Sequence, residues 1–455
     1  MAYKITAGFV GFGEVNTPRA IIEKKCREAA GEIESLGIEV QKVSTVADDP
    51  EGAQAKRASE ELGKKNFDFL VACVAGWIPS WAVIKTIENF RHKPVLLWGI
   101  AGHREKGRFV TTAAQAGTAA LRRPMQDMNF RFRYLVTMLG EKSPLKDIGS
   151  FARAAHAAGK LGNATVGMAG YRDMRLYGTL YDAVKLKDKL GTEVEHFDLL
   201  EIYLYMQKLS TKDMKDSLDY MASAWNFTRK PRKKTLADTV RLYLALKHKV
   251  DERGYSAISY TDVDGIKKLM EFAPAGALTL LHDKMNICSI PENDSMGAVT
   301  QLATFFLTGE VPAYLEFYEF TPGGALMGVP DYVPSGIVDG QVKILPNSFG
   351  DFGEGLLNVS RLKTGRVTLA RLDTSRGDYV LHAAAGTAKT PPQWEEAGWA
   401  PPAPQLASLE IDFDAEPGAF IQNVLSQHYI IAYGDRMEDY KNLCSLLNIS
   451  LLEHK

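Results

Sequence analysis

The segment Lys4-Ile-Thr-Ala-Gly-Phe-Val-Gly-Phe-Gly-Glu-Val-Asn-Thr-Pro18 sets the fold class. Residues 4–9 read as a buried strand, and Gly11, Gly13 and Asn16 make a loop. Thr17 is placed to cap a helix with Pro18 in its first turn, where proline's missing donor costs nothing. Residues 19–35 carry apolar side chains at helical spacing, and Gly37 suits the left-handed position that closes a helix. Residues 38–43 then alternate as a second strand. Strand, glycine-rich loop, helix and strand in this order are the building unit of a parallel sheet.

Outward from that unit the pattern repeats. Residues 67–75 and 94–99 are further apolar strands with helical spacing around them. A second such region begins near residue 150. There 164–169 is a strand, 170–176 a loop carrying Arg172, Asp173 and Arg175, and 192–198 the next strand after a helix ending at Leu190-Gly191. From about 340 the texture changes to short β segments, 341–345, 366–372 and 378–384. The last two are joined by Asp373-Thr-Ser-Arg-Gly377, which reads as a hairpin turn. Pro391, Pro392, Pro401, Pro402 and Pro404 mark an irregular loop, and 435–447 returns to helical spacing. The expected architecture is two doubly wound α/β domains, 1–150 and 151–310, followed by a mainly β, barrel-like domain over 311–455.

With 455 residues, 45% hydrophobic and 24% charged, the chain has the make-up of a multidomain globular protein. A formal net charge of -1 gives no electrostatic reason to expect a nucleic-acid partner or an anionic membrane. No run approaches the roughly 18–20 apolar residues of a membrane span. The four cysteines, Cys26, Cys73, Cys288 and Cys444, form no C-x-x-C pair, and the N-terminus lacks a signal-peptide pattern. A cytoplasmic protein with reduced thiols is expected. GFVGFG lacks the full G-x-G-x-x-G spacing of a dinucleotide site, and the basic run at 229–234 reads as a solvated interhelical loop. There is no G-x-S-x-G elbow.

Chemistry concentrates in Pro291-Glu-Asn-Asp-Ser-Met-Gly297 and in Leu307-Thr-Gly-Glu-Val-Pro-Ala-Tyr-Leu-Glu-Phe-Tyr-Glu319. Glu292 follows the apolar run Ile287-Cys-Ser-Ile290, which puts it at the C-terminal mouth of a strand, where open α/β sheets hold ligands. Residues 297–307 read as a helix closed by Gly309, and 313–318 as the next strand. Glu316 lies among apolar neighbours there, costly to bury unless a cation or hydrogen bonds compensate. Two such carboxylates suit a hard cation or a catalytic pair, with salt bridges as the plainer reading. His428, in Leu425-Ser-Gln-His-Tyr-Ile-Ile-Ala-Tyr433, is by itself more often structural than a ligand.

Glu292-Asn-Asp-Ser295 resembles the E-N-D-S motif of the L-fucose/L-arabinose isomerase family, and the likeness runs in register through Leu307-Thr-Gly309 to Glu316. Gln427-His-Tyr-Ile-Ile-Ala-Tyr-Gly434 resembles the segment carrying that family's histidine ligand. Cys73-Val-Ala-Gly-Trp77 and Pro94-Val-Leu-Leu-Trp-Gly-Ile100 resemble its first domain. The resemblance implies a metal-dependent aldose–ketose isomerase, with Mn²⁺ held by Glu292, Glu316 and His428 and with Glu292 and Glu316 catalytic. It implies sugar contacts from Arg19, Trp77, Trp399 and Gln427, and a homo-oligomer, a hexamer favoured, in which Trp77 reaches a neighbour's site. Three departures stand out: Glu316 replaces an aspartate, Gln427 an asparagine, and no histidine lies between His282 and His382 where arabinose isomerases carry one.

Two alternatives stay open. Arg122, Arg123, Arg131, Arg133, Arg172 and Arg175 crowd the loops of the α/β domains and suit an anionic sugar such as sulfoquinovose. A sugar-binding or regulatory protein without catalysis would use the same fold, but it has no need of all three expected ligands together.

Overall fold

The computed structural model describes residues 4–328, 332–348, 352–391 and 408–454. Two compact units result: the first runs to Gly159 and takes in Lys441–Leu447, and the second covers Lys160–Tyr440 and the strand Ser450–His454. The architecture is mixed α/β, with parallel sheets and a closed six-strand barrel towards the C-terminus. The expected boundary at 310 falls inside the second unit, which holds both a parallel sheet and the barrel.

In the first unit five parallel strands lie in the spatial order Glu39–Lys42, Thr6–Phe12, Phe69–Val74, Val95–Gly99 and Phe132–Val136. The central strand Phe-Leu-Val-Ala-Cys-Val is buried along its whole length, as a strand covered on both faces must be. The helix Arg19–Glu34 turns Ile22, Cys26, Ala29, Ala30 and Ile33 inward at intervals of three and four. Its N-cap falls on Pro18, and no side chain caps it. Thr17 therefore does not cap the helix, because the chain enters it one residue later than the threonine requires. Gly37 does take the left-handed conformation, with φ 79°.

Lys25 is the unusual member of that helix. It is buried, and its Nζ donates to the Ala75 carbonyl at 2.6 Å and to Thr112 Oγ1 at 3.1 Å. Burial outweighs the nearby Cys73, Cys26 and Glu28 and brings its pKa down to about 8. Between about pH 8 and 10.5 the unfolded chain still binds the proton that the folded chain has released. The Lys25 contribution therefore makes stability rise with pH across that window. Urea unfolding at about pH 8 and about pH 10 should show this rise in the wild type relative to Lys25→Met. Equal slopes in the two proteins would remove the assignment.

The second unit begins with a parallel sheet ordered Cys288–Ser289, Ala257–Tyr260, Thr165–Ala169 and Glu193–Phe197. The barrel runs Gly365–Ser375, His428–Tyr433, Ala313–Thr321, Gly324–Gly328, Leu409–Phe413 and Asp378–Lys389, then closes back on Gly365–Ser375. Closure leaves those strands no free edge. The expected hairpin is present, with Arg376 and Gly377 at φ 52° and 86° between paired Ser375 and Asp378. Two left-handed central residues match the twist of a tight hairpin.

Sheet and barrel share one helix. Ser295–Thr308 is buried from Ser295 to Leu307 and packs on the strands Ala257–Tyr260 and Cys288–Ser289 as well as on Gly365–Ser375 and His428–Tyr433. A largely apolar helix buried on every side is stable only when enclosed in this way. It begins directly after Glu292-Asn-Asp, and so carries that segment to the barrel.

Candidate functional site

The chain leaves the short strand Cys288–Ser289, turns through Pro291, and places Glu292 and Asn293 at φ 66° and 50°. Two successive non-glycine residues in the left-handed region carry backbone strain of a kind concentrated at functional sites. Asn293 holds the turn. Its backbone N–H donates to Ser259 Oγ at 3.0 Å, and its side-chain amide reaches Ala169 O at 3.0 Å, Tyr171 O at 2.7 Å and Thr261 Oγ1 at 3.2 Å. The ends of two parallel strands are thus tied to Glu292. Asp294 then caps the shared helix, accepting from the Gly297 N–H at 3.0 Å.

The barrel supplies the opposite wall. Glu316 and His428 are direct partners in the antiparallel pair Ala313–Thr321 and His428–Tyr433, so their side chains share one face. His428 Nε2 lies 3.3 Å from Glu316 Oε2, and the Gln427 amide is 3.5 Å from the same oxygen. Tyr314, two residues before Glu316 and on its face, stacks on the His428 ring with centroids 4.4 Å apart. Its hydroxyl donates to Asp294 Oδ2 at 3.1 Å. Burial, then the Asp294 and Glu292 carboxylates, push the Tyr314 phenol well above its ordinary range, which keeps it a donor. Tyr314 therefore links Asp294, through its hydroxyl, to His428, through its ring, with the Glu292 carboxylate near enough to act on the phenol.

Beneath it lies a buried ion network that sequence reasoning did not identify. Arg371 is fully buried and grips Asp294 with both terminal nitrogens, NH1 on Oδ2 and NH2 on Oδ1, the latter at 2.9 Å. NH2 also donates to Asp373 at 3.0 Å and to the Gly178 carbonyl at 3.1 Å. Burial opposes ionisation of Asp294, yet the Arg371 charge and hydrogen bonds hold its carboxyl below the usual range. For Asp373 burial prevails and the carboxyl is raised despite Arg371. Asp294 is the better counter-ion because it receives the two-pronged contact. The signal was a charged residue set in the apolar strand Val367-Thr-Leu-Ala-Arg-Leu372, which only an internal partner can accommodate.

The expected metal ligands are thus brought together in part. Glu316 and His428 touch, while Glu292 borders Tyr314. Among the described residues no three His, Cys, Asp or Glu side chains are gathered closely enough to hold a metal. In donor chemistry, two carboxylates and an imidazole suit a divalent ion such as manganese. Gln427 falls beside Glu316, where a sugar contact was expected. Trp399 and most of the proline-marked loop lie outside the described residues. Arg19 and Trp77 belong to the first unit. There Arg19 donates to Glu23 at 2.9 Å, Gln54 at 3.1 Å and the Thr45 carbonyl at 2.9 Å, and the Trp77 side chain is exposed.

No family model matches the chain, and a comparison with curated proteins returns no match. Among solved structures, a solute-binding protein of an ABC transporter from Agrobacterium vitis, determined with α-D-tagatopyranose bound, aligns at 12% identity. The alignment covers 78% of this chain and 95% of that one, with a TM-score of 0.19. So low a score carries no argument about fold or function. Among the described residues, no helix is long and apolar enough to cross a membrane.

Proposed function

We propose that the protein is a metal-dependent aldose–ketose isomerase acting on an open-chain sugar by proton transfer through a cis-enediol. The observation that carries this reading is the Glu316–His428 pair at 3.3 Å, stacked on Tyr314 beside the strained turn of Glu292. In this reading Glu292, Glu316 and His428 hold one divalent ion, with Mn²⁺ favoured. A divalent ion supplies polarisation of the sugar's carbonyl and relief of the negative charge that builds on its oxygens.

The chain's own groups do the rest. One of the two glutamates takes the proton from C2 of the aldose and the same carboxyl returns it to C1, while the O2 hydroxyl proton passes to O1, giving the ketose with no net gain or loss of protons. Asn293 and Arg371 keep the Glu292-Asn-Asp segment in place, and the Tyr314 ring supports His428. Gln427 supplies an amide to the Glu316 side of the site. The two parallel sheets belong, in this reading, to doubly wound domains, the four buried free thiols suit a cytoplasmic protein, and a hexamer is what the family resemblance implies.

The test is ketose formation from a panel of aldoses by the purified protein. Activity should vanish on chelation and return with Mn²⁺. Full activity in the chelated, metal-free protein would remove the metal assignment. No ketose from any aldose, with sugar still bound, would favour a binding protein.

A further inference from the structure

Beside Glu292 the second unit forms a small pocket of about 30 Å³, bordered by Arg172, Thr179, Tyr181, His196, Asn293 and Ser295. That volume admits a terminal group of a few atoms. None of the lining residues is an acid. Of the nearby carboxylates, Asp173, Asp294 and Glu193 are held by other groups. Asp173 accepts the backbone N–H groups of Asp262, Val263 and Asp264, each at 2.8 Å, and Asp294 is bound by Arg371. Glu193, which acts on Tyr181, is paired with Lys187 at 3.5 Å.

Arg172 has no carboxylate partner among the described residues. Its guanidinium lies over the exposed Tyr177 ring, 5.2 Å from the centroid. Tyr171, its neighbour in sequence, is the residue whose carbonyl Asn293 grips at 2.7 Å, so the Arg172 loop is fastened to the turn carrying Glu292. Ser295 opens a helix of 14 residues, whose first turn presents the positive end of the helix dipole.

Two acceptors complete the pattern. The Asn293 amide nitrogen faces two carbonyls, which fixes the amide's orientation, and its Oδ1 is buried with no hydrogen-bond partner. His196 Nδ1 meets the Gly170 carbonyl at 2.9 Å and donates to it, so Nε2 is the ring's acceptor in the neutral tautomer that this contact selects. A ligand with both a hydroxyl donor and a negative group matches these acceptors and the Arg172 charge.

We infer that this pocket binds the end of the substrate remote from its carbonyl, and that the substrate is an anionic sugar: a hydroxyl meets Asn293 Oδ1, and a carboxylate, phosphate or sulfonate meets Arg172. The inference rests on the isomerase reading for the pose of the sugar, while its test reads binding alone. Calorimetry on the intact protein would compare an aldohexose with the same hexose bearing a C6 carboxylate, 6-phosphate or 6-sulfonate. At least one charged member should bind about 10–100-fold more tightly than the neutral sugar, and Arg172→Gln should erase that preference. The inference is overturned if no charged sugar outbinds the neutral one, or if Arg172→Gln keeps the preference. Ketose formation from the neutral aldose without any preference for charge would leave the isomerase reading standing and remove this one. Charged-sugar binding lost in Arg172→Gln, with no turnover, would do the reverse.

Discussion

Glu316→Gln and Glu292→Gln are each expected to lower ketose formation by about 10²–10⁴-fold, the usual loss for a missing general base. Glutamine keeps the shape and one oxygen that can ligate, but it cannot accept a proton. Because a weakened metal site would also reduce activity, bound metal must be measured in both variants. Retained metal with lost turnover assigns the residue to proton transfer. The wild-type reaction in heavy water should place deuterium on carbon in the ketose, since a proton held by a carboxylate beside solvent can exchange before its return. The variant that loses this incorporation identifies the base. Normal turnover in both variants, with no deuterium on carbon, would sink the proton-transfer mechanism. Glu316 stands opposite His428 on paired strands of a closed barrel, so Glu316→Gln has no reason to disturb the backbone there.

Arg371→Leu is expected to destabilise the protein by about 3–5 kcal/mol, the typical cost of leaving a buried charge without its partner. Asp294 and Asp373 are almost as buried as the arginine, with side-chain exposures of 2% and 9% against 0%. Removing the guanidinium leaves Asp294 to the Tyr314 hydroxyl and the Gly297 N–H alone. The double variant Arg371→Leu, Asp294→Asn should recover part of the loss, because the amide needs no counter-charge. The pH dependence has a definite sign. Asp294 has a lowered folded pKa, so its contribution is present above the unfolded value and is lost as pH falls through the folded one. The gap between wild type and Arg371→Leu should therefore narrow in acid. Urea midpoints that coincide at neutral pH would contradict the network's role.

Much of the site is legible in the amino-acid sequence. Glu292 at a strand mouth follows from the apolar run that ends at Ile290, and Glu316 in a strand follows from its apolar neighbours. The Arg376-Gly377 turn is visible because few residue pairs accept left-handed geometry. Other parts are not legible there. His428 starts a barrel strand, and nothing near it in sequence says that Glu316 is its cross-strand partner. Arg371 reads as a charge out of place, and its partner Asp294 lies far away in the chain. The pocket next to Asn293 joins residues from three regions of the chain, each ordinary when read alone.

The sequence by itself determined the local alternation of strands and helices, the positions of the tight turns, and the residue types able to carry a cation and a proton. Those depend on side-chain periodicity and backbone preference, which act over a few residues. Only the tertiary structure decided that one buried helix joins sheet to barrel, that Tyr314 links Asp294 to His428, and that Arg172 faces a pocket without acids. Those features depend on closing the barrel and on cancelling charge where water is excluded. The energy of such pairing is set by distance and burial between residues remote in sequence.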